Sequence, residues 1–243
     1  MVVDVNALDF SYQAPDTIPG GWVTIRIHNK GQELHHGQIF RLDQGKTMAD
    51  VATLAAPAPP AWMVPMGGPS APAPGGALET TVNLAPGNYV IVCEIPSPDG
   101  KLHSMKGMMK AFTVVASTTT ASPPAADITV TLSDFTFAIA GELTAGRHTF
   151  RVETVAGQPH EFILARLAPG KKAEDFLAWV EKMNGPPPIE GIAGGTTAIA
   201  AGEVNVFQAD LAPGDYALIC FIPDAKDGKP HAVHGMMRTI TIT

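Results

Sequence analysis

Cysteine, histidine and methionine recur in this chain at spacings that suit a metal ion. The order Cys, His, Met occurs twice, at Cys93, His103 and Met108 and again at Cys220, His231 and Met236. A further histidine lies far upstream of each cysteine, at His35 and His160. One thiolate, two imidazoles and a weakly bound thioether form the type of site that holds copper for electron transfer. The residue types therefore predict two copper sites, one in each half of the chain.

The two halves of the chain are copies of one another. The segment 9–12 recurs at 134–137, and His35 corresponds to His160 at the same offset of 125 residues. Around the cysteines the offset is 127, and at the downstream histidines it is 128, so two short insertions separate the copies. Two repeats of this length predict the tandem duplication of one self-sufficient domain.

A stretch rich in serine, threonine, proline and alanine separates the copies. We place a first domain at 1–115, a linker at 116–126 and a second domain at 127–243. Apolar and polar residues alternate along several segments of each copy, and 24 glycines and 22 prolines favour short strands joined by turns. The predicted fold class is all-β, with two tandem β-sandwich domains.

Each domain is predicted to carry a short helical insertion. Apolar residues at helical spacing predict a helix over 172–183, and 47–55 is its shorter counterpart in the first copy. The proline-rich stretch 56–76 that follows is predicted to be an ordered surface loop.

Motifs around the predicted ligands resemble those of the cupredoxin (blue copper protein) family, in particular plastocyanin- and rusticyanin-like domains. They are Pro-His at 159–160, Pro-Gly-x-Tyr before each cysteine, Cys-x-Ile-Pro, and His-x-x-x-Gly-Met. The resemblance covers nearly all of both repeats. It implies Greek-key sandwiches, electron transfer or copper handling, a redox or copper-donor protein as partner, and a periplasmic or extracellular location.

The residues beside the cysteines predict that the protein is not an enzyme. In oxidases and reductases of this family, a histidine adjoins the cysteine and links its copper to a catalytic copper. Here the neighbours are Val92 and Glu94 in the first copy, and Ile219 and Phe221 in the second. The Cys-to-His loop, 10 positions from 93 to 103 and 11 from 220 to 231, is also longer than in small electron carriers.

Other interpretations of these residues stay open. The cysteines would also serve as small core residues, whereas a disulfide between them is disfavoured because equivalent positions in separate domains rarely approach within about 7 Å. His36 and His234 lack counterparts and are expected to be solvated, although either could replace its neighbour as a ligand. Further methionines are expected to pack, or else to form a surface that receives Cu(I): Met63, Met66, Met105, Met109 and Met237. The rival function is a copper-free cupredoxin-like interaction module.

Composition limits the partners. The net charge of −7 argues against binding to nucleic acid. No apolar stretch reaches the roughly 18 residues of a membrane span, and the segment 1–4 lacks the features of a signal peptide. Nothing in the sequence predicts the oligomeric state.

Overall fold

The computed structural model describes residues 1–54, 59–118, 121–182 and 185–243. The strands of the first repeat, β1 to β9, are Val2–Leu8, Ser11–Gln13, Thr17–Pro19, Gly21–Asn29, Gln38–Leu42, Met63–Gly67, Ala77–Leu84, Gly87–Val92 and Met109–Val115. Those of the second repeat, β10 to β17, are Ile128–Ser133, Thr136–Ala140, Gly146–Thr154, His160–Leu167, Ile189–Ile199, Val204–Leu211, Gly214–Ile219 and Met237–Ile242. The helices are α1, Met48–Ala52, and α2, Ala173–Val180, with 3-10 turns at Ser104–Lys106 and His231–His234.

Each repeat folds as two packed sheets. In the first repeat, β1, β2, β4 and β7 form one layer, and β3, β5, β6, β8 and β9 form the other. The second repeat has the equivalent layers, β10, β11, β12 and β15 against β13, β14, β16 and β17. Strands that are not consecutive lie side by side, as β4 with β7 and β5 with β8, which is the Greek-key type of connection. The predicted tandem of all-β sandwiches is confirmed.

Alternation of side chains along the strands builds the core between the layers. In β4, Val23, Ile25 and Ile27 face inward and are buried, as the sequence pattern predicts. They pack in one cluster with Tyr89 and Ile91 from the opposite layer. Because Ile91 precedes Cys93 by two positions, the same face of β8 continues directly into the predicted ligand.

The two helical insertions are present and shorter than predicted. Helix α1 begins after Thr47, whose backbone N–H donates to Asp50 at 2.9 Å, and helix α2 begins after Lys172 in the same way. Residues 55 and 183, the last of the two predicted helices, lie outside the described residues. Phe176 in α2 is buried and meets the ring of Phe221 edge-on, at 5.4 Å between centroids. Helix α2 therefore supports the residue that follows Cys220.

The proline-rich stretch is not a surface loop throughout. Residues 55–58 lie outside the described part of the chain, but strand β6 occupies Met63–Gly67, and residues 65–72 are buried. Met63 and Met66 are 5% and 3% exposed and belong to the core. The composition was misleading because this segment is covered by the other repeat, which the sequence pattern of one repeat does not encode.

Both layers run continuously from one repeat into the other. Strand β6 pairs with β14 at Met66 and Ile199, and β7 pairs with β15 at Val82 with Asn205. The result is an eight-stranded sheet and a nine-stranded sheet. We call the boundary where β6 meets β14 and β7 meets β15 the seam. Buried side chains add hydrogen bonds across it, such as the one from Thr80 Oγ1 to the Gly195 carbonyl at 2.9 Å. The two repeats thus share their sheets rather than touching only through a linker.

The last strand of the first repeat ends at Val115, and the next strand begins at Ile128. The domain boundaries at 115 and 127 remain a sequence-based prediction. No helix among the described residues is long and apolar enough to cross a membrane.

Candidate metal centres

Strand ends bring the predicted ligands of the first repeat to one place. Cys93 directly follows β8, and Met108 directly precedes β9, which pairs with β8. His103 lies at the start of the 3-10 turn between these strands, and His35 lies in the loop before β5. Because β5 also pairs with β8, the distant histidine reaches the cysteine only when this layer has formed.

The backbone of the Cys–His–Met loop is hydrogen-bonded in the same way in both repeats. The Cys93 N–H donates to the Met108 carbonyl at 3.1 Å, and the His103 carbonyl accepts from the Met108 N–H at 2.9 Å. In the second repeat, the corresponding bonds among Cys220, His231 and Met236 measure 3.1 and 3.0 Å. These bonds fix the three side chains relative to one another.

A glycine before each methionine closes this loop. Gly107 has φ of 103°, and Gly235 has φ of 109°, in the left-handed region that side-chain-bearing residues disfavour. The residue after each turn, Met108 or Met236, is thereby directed inward, and both are 0% exposed. The glycine of His-x-x-x-Gly-Met is therefore required by the backbone.

In the first repeat, three donor atoms converge in the interior. His35 Nδ1 and His103 Nδ1 are 3.1 Å apart, and Cys93 Sγ is 3.4 Å from His103 Nδ1. All three side chains are fully buried. The donor atoms lie within 4.8 Å of one another, so one ion could contact them all.

The Nε2 atoms of the two histidines face away from the thiol, and their hydrogen bonds make this cluster suitable for a cation. His35 Nε2 is 2.9 Å from Asp9, and His103 Nε2 is 2.9 Å from Glu33. Carboxylates only accept hydrogen bonds, so each Nε2 carries the hydrogen and each Nδ1 carries a lone pair. Two lone pairs then face each other at 3.1 Å, and the Cys93 thiol can donate to only one of them. A bound cation satisfies both, and thiolate with imidazole is a donor set that copper prefers.

The second repeat repeats the cluster with one difference. His160 Nδ1 and His231 Nδ1 are 2.9 Å apart, and Cys220 Sγ is 3.5 Å from His231 Nδ1. His160 Nε2 lies 3.3 Å from Asp134, the counterpart of Asp9. The Nε2 of His231, however, is buried and has no hydrogen-bond partner among the described residues.

Burial favours the uncharged form of His35, His160, His231 and both thiols before a metal arrives. Removal from water lowers the pKa of His35 and His160 below 6.5, and it lowers that of His231 to about 4. Burial also raises the pKa of Cys93 to about 12 and that of Cys220 well above 9.0. Copper binding would therefore release the thiol proton, while the imidazoles already offer free lone pairs. Both cysteines are free, in agreement with the prediction that they do not form a disulfide with each other.

The two unmatched histidines do not share one environment. His36 is partly buried rather than freely solvated: its Nε2 accepts a hydrogen bond from the Glu94 N–H at 2.8 Å, and burial lowers its pKa to about 3. In the second repeat, Glu161 takes this place and accepts from the Phe221 N–H at 2.6 Å. His234 is partly exposed and lies 3.1 Å from Asp227. His36 and His234 both lie outside the two clusters of His, Cys and His.

Sequence reasoning assigned no role to the residues that orient the histidines. Asp9-Phe10 and Asp134-Phe135 occupy matching turns, in which both phenylalanines have positive φ, 67° and 61°. The rings of Phe10 and Phe135 meet His103 and His231 edge-on, at 5.3 and 5.2 Å between centroids. The sequence did mark these residues, because Asp-Phe is one of the clearest matches between the two copies. Such backbone geometry is uncommon in a non-glycine residue, and it occurs more often at functional sites than elsewhere.

Comparison with known proteins gives structural similarity only. No protein-family model matches the sequence, and neither does any curated protein. Dithionite-reduced auracyanin from the photosynthetic bacterium Roseiflexus castenholzii is 21% identical, with a TM-score of 0.34, over 47% of this chain and 96% of that one. Copper nitrite reductase from Nitrosomonas europaea is 14% identical, with a TM-score of 0.29, over 100% and 94% of the two chains. Blue copper oxidase from the same organism is 15% identical, with a TM-score of 0.28, over 98% and 84%.

The similar structures thus include auracyanin, which aligns with about half of this chain, and two copper proteins, which align with 98% and 100% of it. The tandem of all-β sandwiches is shown by the strand order of the chain itself. At this level of similarity, the function has to be inferred from the chain's own residues.

Proposed function

We propose that the chain binds one copper ion in each repeat and acts in electron transfer or copper handling. The observation that carries this proposal is the convergence of two imidazole Nδ1 atoms and one thiol in each buried cluster. Bound copper would supply a one-electron couple between Cu(I) and Cu(II). The ligands would be His35, Cys93, His103 and, weakly, Met108 in the first repeat, and His160, Cys220, His231 and Met236 in the second.

The protein's part is to hold the ligands still and exclude water. The donor side chains are fully buried, and the backbone bonds of the loop fix the cysteine, the second histidine and the methionine together. A rigid, dry site requires little rearrangement when its charge changes by one unit, which favours electron transfer over chemistry on a substrate.

A non-catalytic role is supported by the residues that flank each cysteine. Glu94 and Phe221 stand where a histidine would lead to a second copper, and the clusters found among the described residues hold no second His-rich site beside either thiol. We propose a periplasmic or extracellular location and a redox or copper-donor protein as partner, on the strength of the cupredoxin resemblance.

The experiment is a Cu(II) titration of the purified full-length apo-protein, followed in the visible range. We expect a thiolate-to-copper charge-transfer band that saturates at two copper ions per chain. Cys93→Ser and Cys220→Ser should each remove about half of the band, and the double variant should remove it all. His28→Gln, which changes a histidine outside both clusters, is the control and should leave the titration unchanged.

A protein that takes up no stoichiometric copper and stays colourless would instead be the copper-free interaction module. Saturation at one ion, lost in only one single variant, would assign copper to that repeat alone.

A further inference from the structure

The two clusters differ in what holds the second histidine. In the first repeat, Glu33 Oε2 is 2.9 Å from His103 Nε2. The loop that carries Glu33 is itself fixed, because Asn29 Nδ2 donates to the Glu33 carbonyl at 2.8 Å and the Glu33 N–H donates to Asp9 at 3.3 Å. The Glu33 side chain is 29% exposed, so the carboxylate forms the outer wall of the site.

In the second repeat, the corresponding residue is Gln158, and it points elsewhere. Its Nε2 donates to Asp224 Oδ1 at 2.9 Å, and its Oε1 accepts from the Ala225 N–H at 3.0 Å. Asp224 in turn replaces Ser97 of the first repeat. His231 is left without a partner on its buried Nε2 among the residues described.

A carboxylate on the outer nitrogen of a ligand imidazole has two known effects. It fixes the tautomer and the ring orientation, and it makes the ligand nitrogen a stronger donor. Loss of such a partner typically weakens metal binding by about 10- to 100-fold. The stronger donor and the added negative charge both favour Cu(II) over Cu(I).

We propose that Glu33 is a positioning residue that strengthens copper binding through His103 in the first repeat, and that the second repeat lacks this device. The inference rests on the proposed function. It makes the two sites unequal: the first holds Cu(II) more firmly than it would without Glu33, and the second exchanges copper more readily than it would with a carboxylate at position 158.

Other groups differ between the repeats too, so each site is best compared with itself. Asp224 places a carboxylate in the second repeat only; it accepts a hydrogen bond from Gln158, and its charge also acts on the nearby His231. A carboxyl lies next to a ligand residue in both repeats, as the partly buried Glu94 and the buried Glu161. Exchanging the residue at one position within one site removes these differences from the comparison.

The test uses full-length protein with one site inactivated. In the Cys220→Ser background, Glu33→Gln should weaken Cu(II) binding about 10- to 100-fold and raise the reduction potential. A tenfold change in the relative affinity for the two oxidation states corresponds to about 59 mV for one electron. In the Cys93→Ser background, Gln158→Glu with Asp224→Ser recreates the first-repeat arrangement; compared with Asp224→Ser alone in the same background, it should shift affinity and potential in the opposite direction. Asp43→Asn, at an exposed carboxylate of the first repeat, is the control and should change neither quantity.

The outcomes separate this inference from the proposed function. If the parent single-site proteins take up no copper, the proposed function fails. If they bind copper with an intact charge-transfer band and neither exchange moves affinity or potential, Glu33 has no positioning role and the inference is overturned. The reciprocal exchange in the second repeat keeps the test decisive even if Glu33→Gln lowers the stability of the first.

Discussion

At the scale of single residues, a hydroxyl distinguishes the two thiols. Tyr12 packs in the same core cluster as Cys93, and its hydroxyl donates to the His36 carbonyl at 2.5 Å. The second repeat has Phe137 at this position. Once Cys93 is a thiolate, it becomes the stronger acceptor for this proton. Hydrogen bonds to the sulfur are one of the means by which proteins tune such copper sites.

We expect Tyr12→Phe to lower the reduction potential of the first site, because a hydrogen bond to sulfur weakens its donation and so favours Cu(I). The effect should be on the order of 0.5–1.5 kcal/mol, the net worth of one hydrogen bond. Potentiometry of the copper-loaded Cys220→Ser protein measures it, together with the energy of the charge-transfer band. Phe137→Tyr in the Cys93→Ser background is the matched reverse change, and an unaltered potential in both would contradict the assignment.

At the scale of elements, the parallel pair β10 and β12 is joined at its start by an ion pair. Asp127 hydrogen-bonds His148 at 2.5 Å and also accepts from the Thr149 N–H at 2.6 Å. The hydrogen bond to Asp127 raises the pKa of His148 above 6.5, and hydrogen bonds from Thr149 and then His148 lower the pKa of Asp127 below 3.8.

This pair gives the apo-protein a pH-dependent stability with a defined sign. A raised histidine pKa contributes stability that is complete below 6.5 and is lost as the pH rises through the folded value; a lowered aspartate pKa contributes stability that is lost as the pH falls below 3.8. The difference in free energy of unfolding between wild type and Asp127→Asn should therefore be largest between these limits and decrease at alkaline pH. Urea unfolding at several pH values measures it. His148→Gln should remove the alkaline decrease, and a difference that grows with pH would disprove this account.

The periodicity of apolar residues predicted the strands and helices that pack against the core of their own repeat. It failed for segments that are buried by contact with the other repeat. Strand β4 alternates cleanly, and helix α2 has a clear apolar face, so both were predictable. Strand β6 contains Pro65 and lies in a proline-rich segment, and its burial depends on Ile199 of the other repeat. The convergence of each cysteine with its two histidines was predictable for a different reason: Cys, His and Met are chemically distinctive and occur twice in the same order. Glu33 was not, because its role depends on a loop conformation that no sequence pattern shows.

At the scale of the whole molecule, the seam between the repeats depends on close backbone approach. Gly67 has φ of 81°, and a Cβ placed there would lie 1.6 Å from the Asn205 side chain of the other repeat. Gly45 has a similar φ of 85° but has nothing within 4 Å of such a Cβ. Comparing an alanine substitution at each of the two positions therefore separates the cost of backbone strain from the cost of a steric clash across the seam.

We expect Gly45→Ala to cost about 1–2 kcal/mol of stability, the penalty of left-handed backbone for a residue with a side chain. Gly67→Ala should cost a further 1–3 kcal/mol or more, since it adds overpacking at a buried contact. Urea unfolding of the apo-protein measures both. Equal losses of stability in the two variants would show that the seam accommodates the added methyl group without further cost.

The seam has an approximate twofold symmetry, and this symmetry bears on the differences between the candidate metal sites of the two repeats. Strands β7 and β15 are equivalent segments at an offset of 127 residues, and they pair antiparallel with each other at Thr81 with Val206 and at Val82 with Asn205. In this register the next two residues, Thr80 and Phe207, are themselves equivalent. Equivalent surfaces that meet in this way form the interface of a twofold dimer. A true homodimer is bound to present identical copper sites, because one gene encodes both. With both halves encoded separately in one chain, each can mutate alone while their association stays intramolecular and independent of protein concentration. Glu33 opposite Gln158, and Tyr12 opposite Phe137, are differences that a homodimer of one gene product cannot keep.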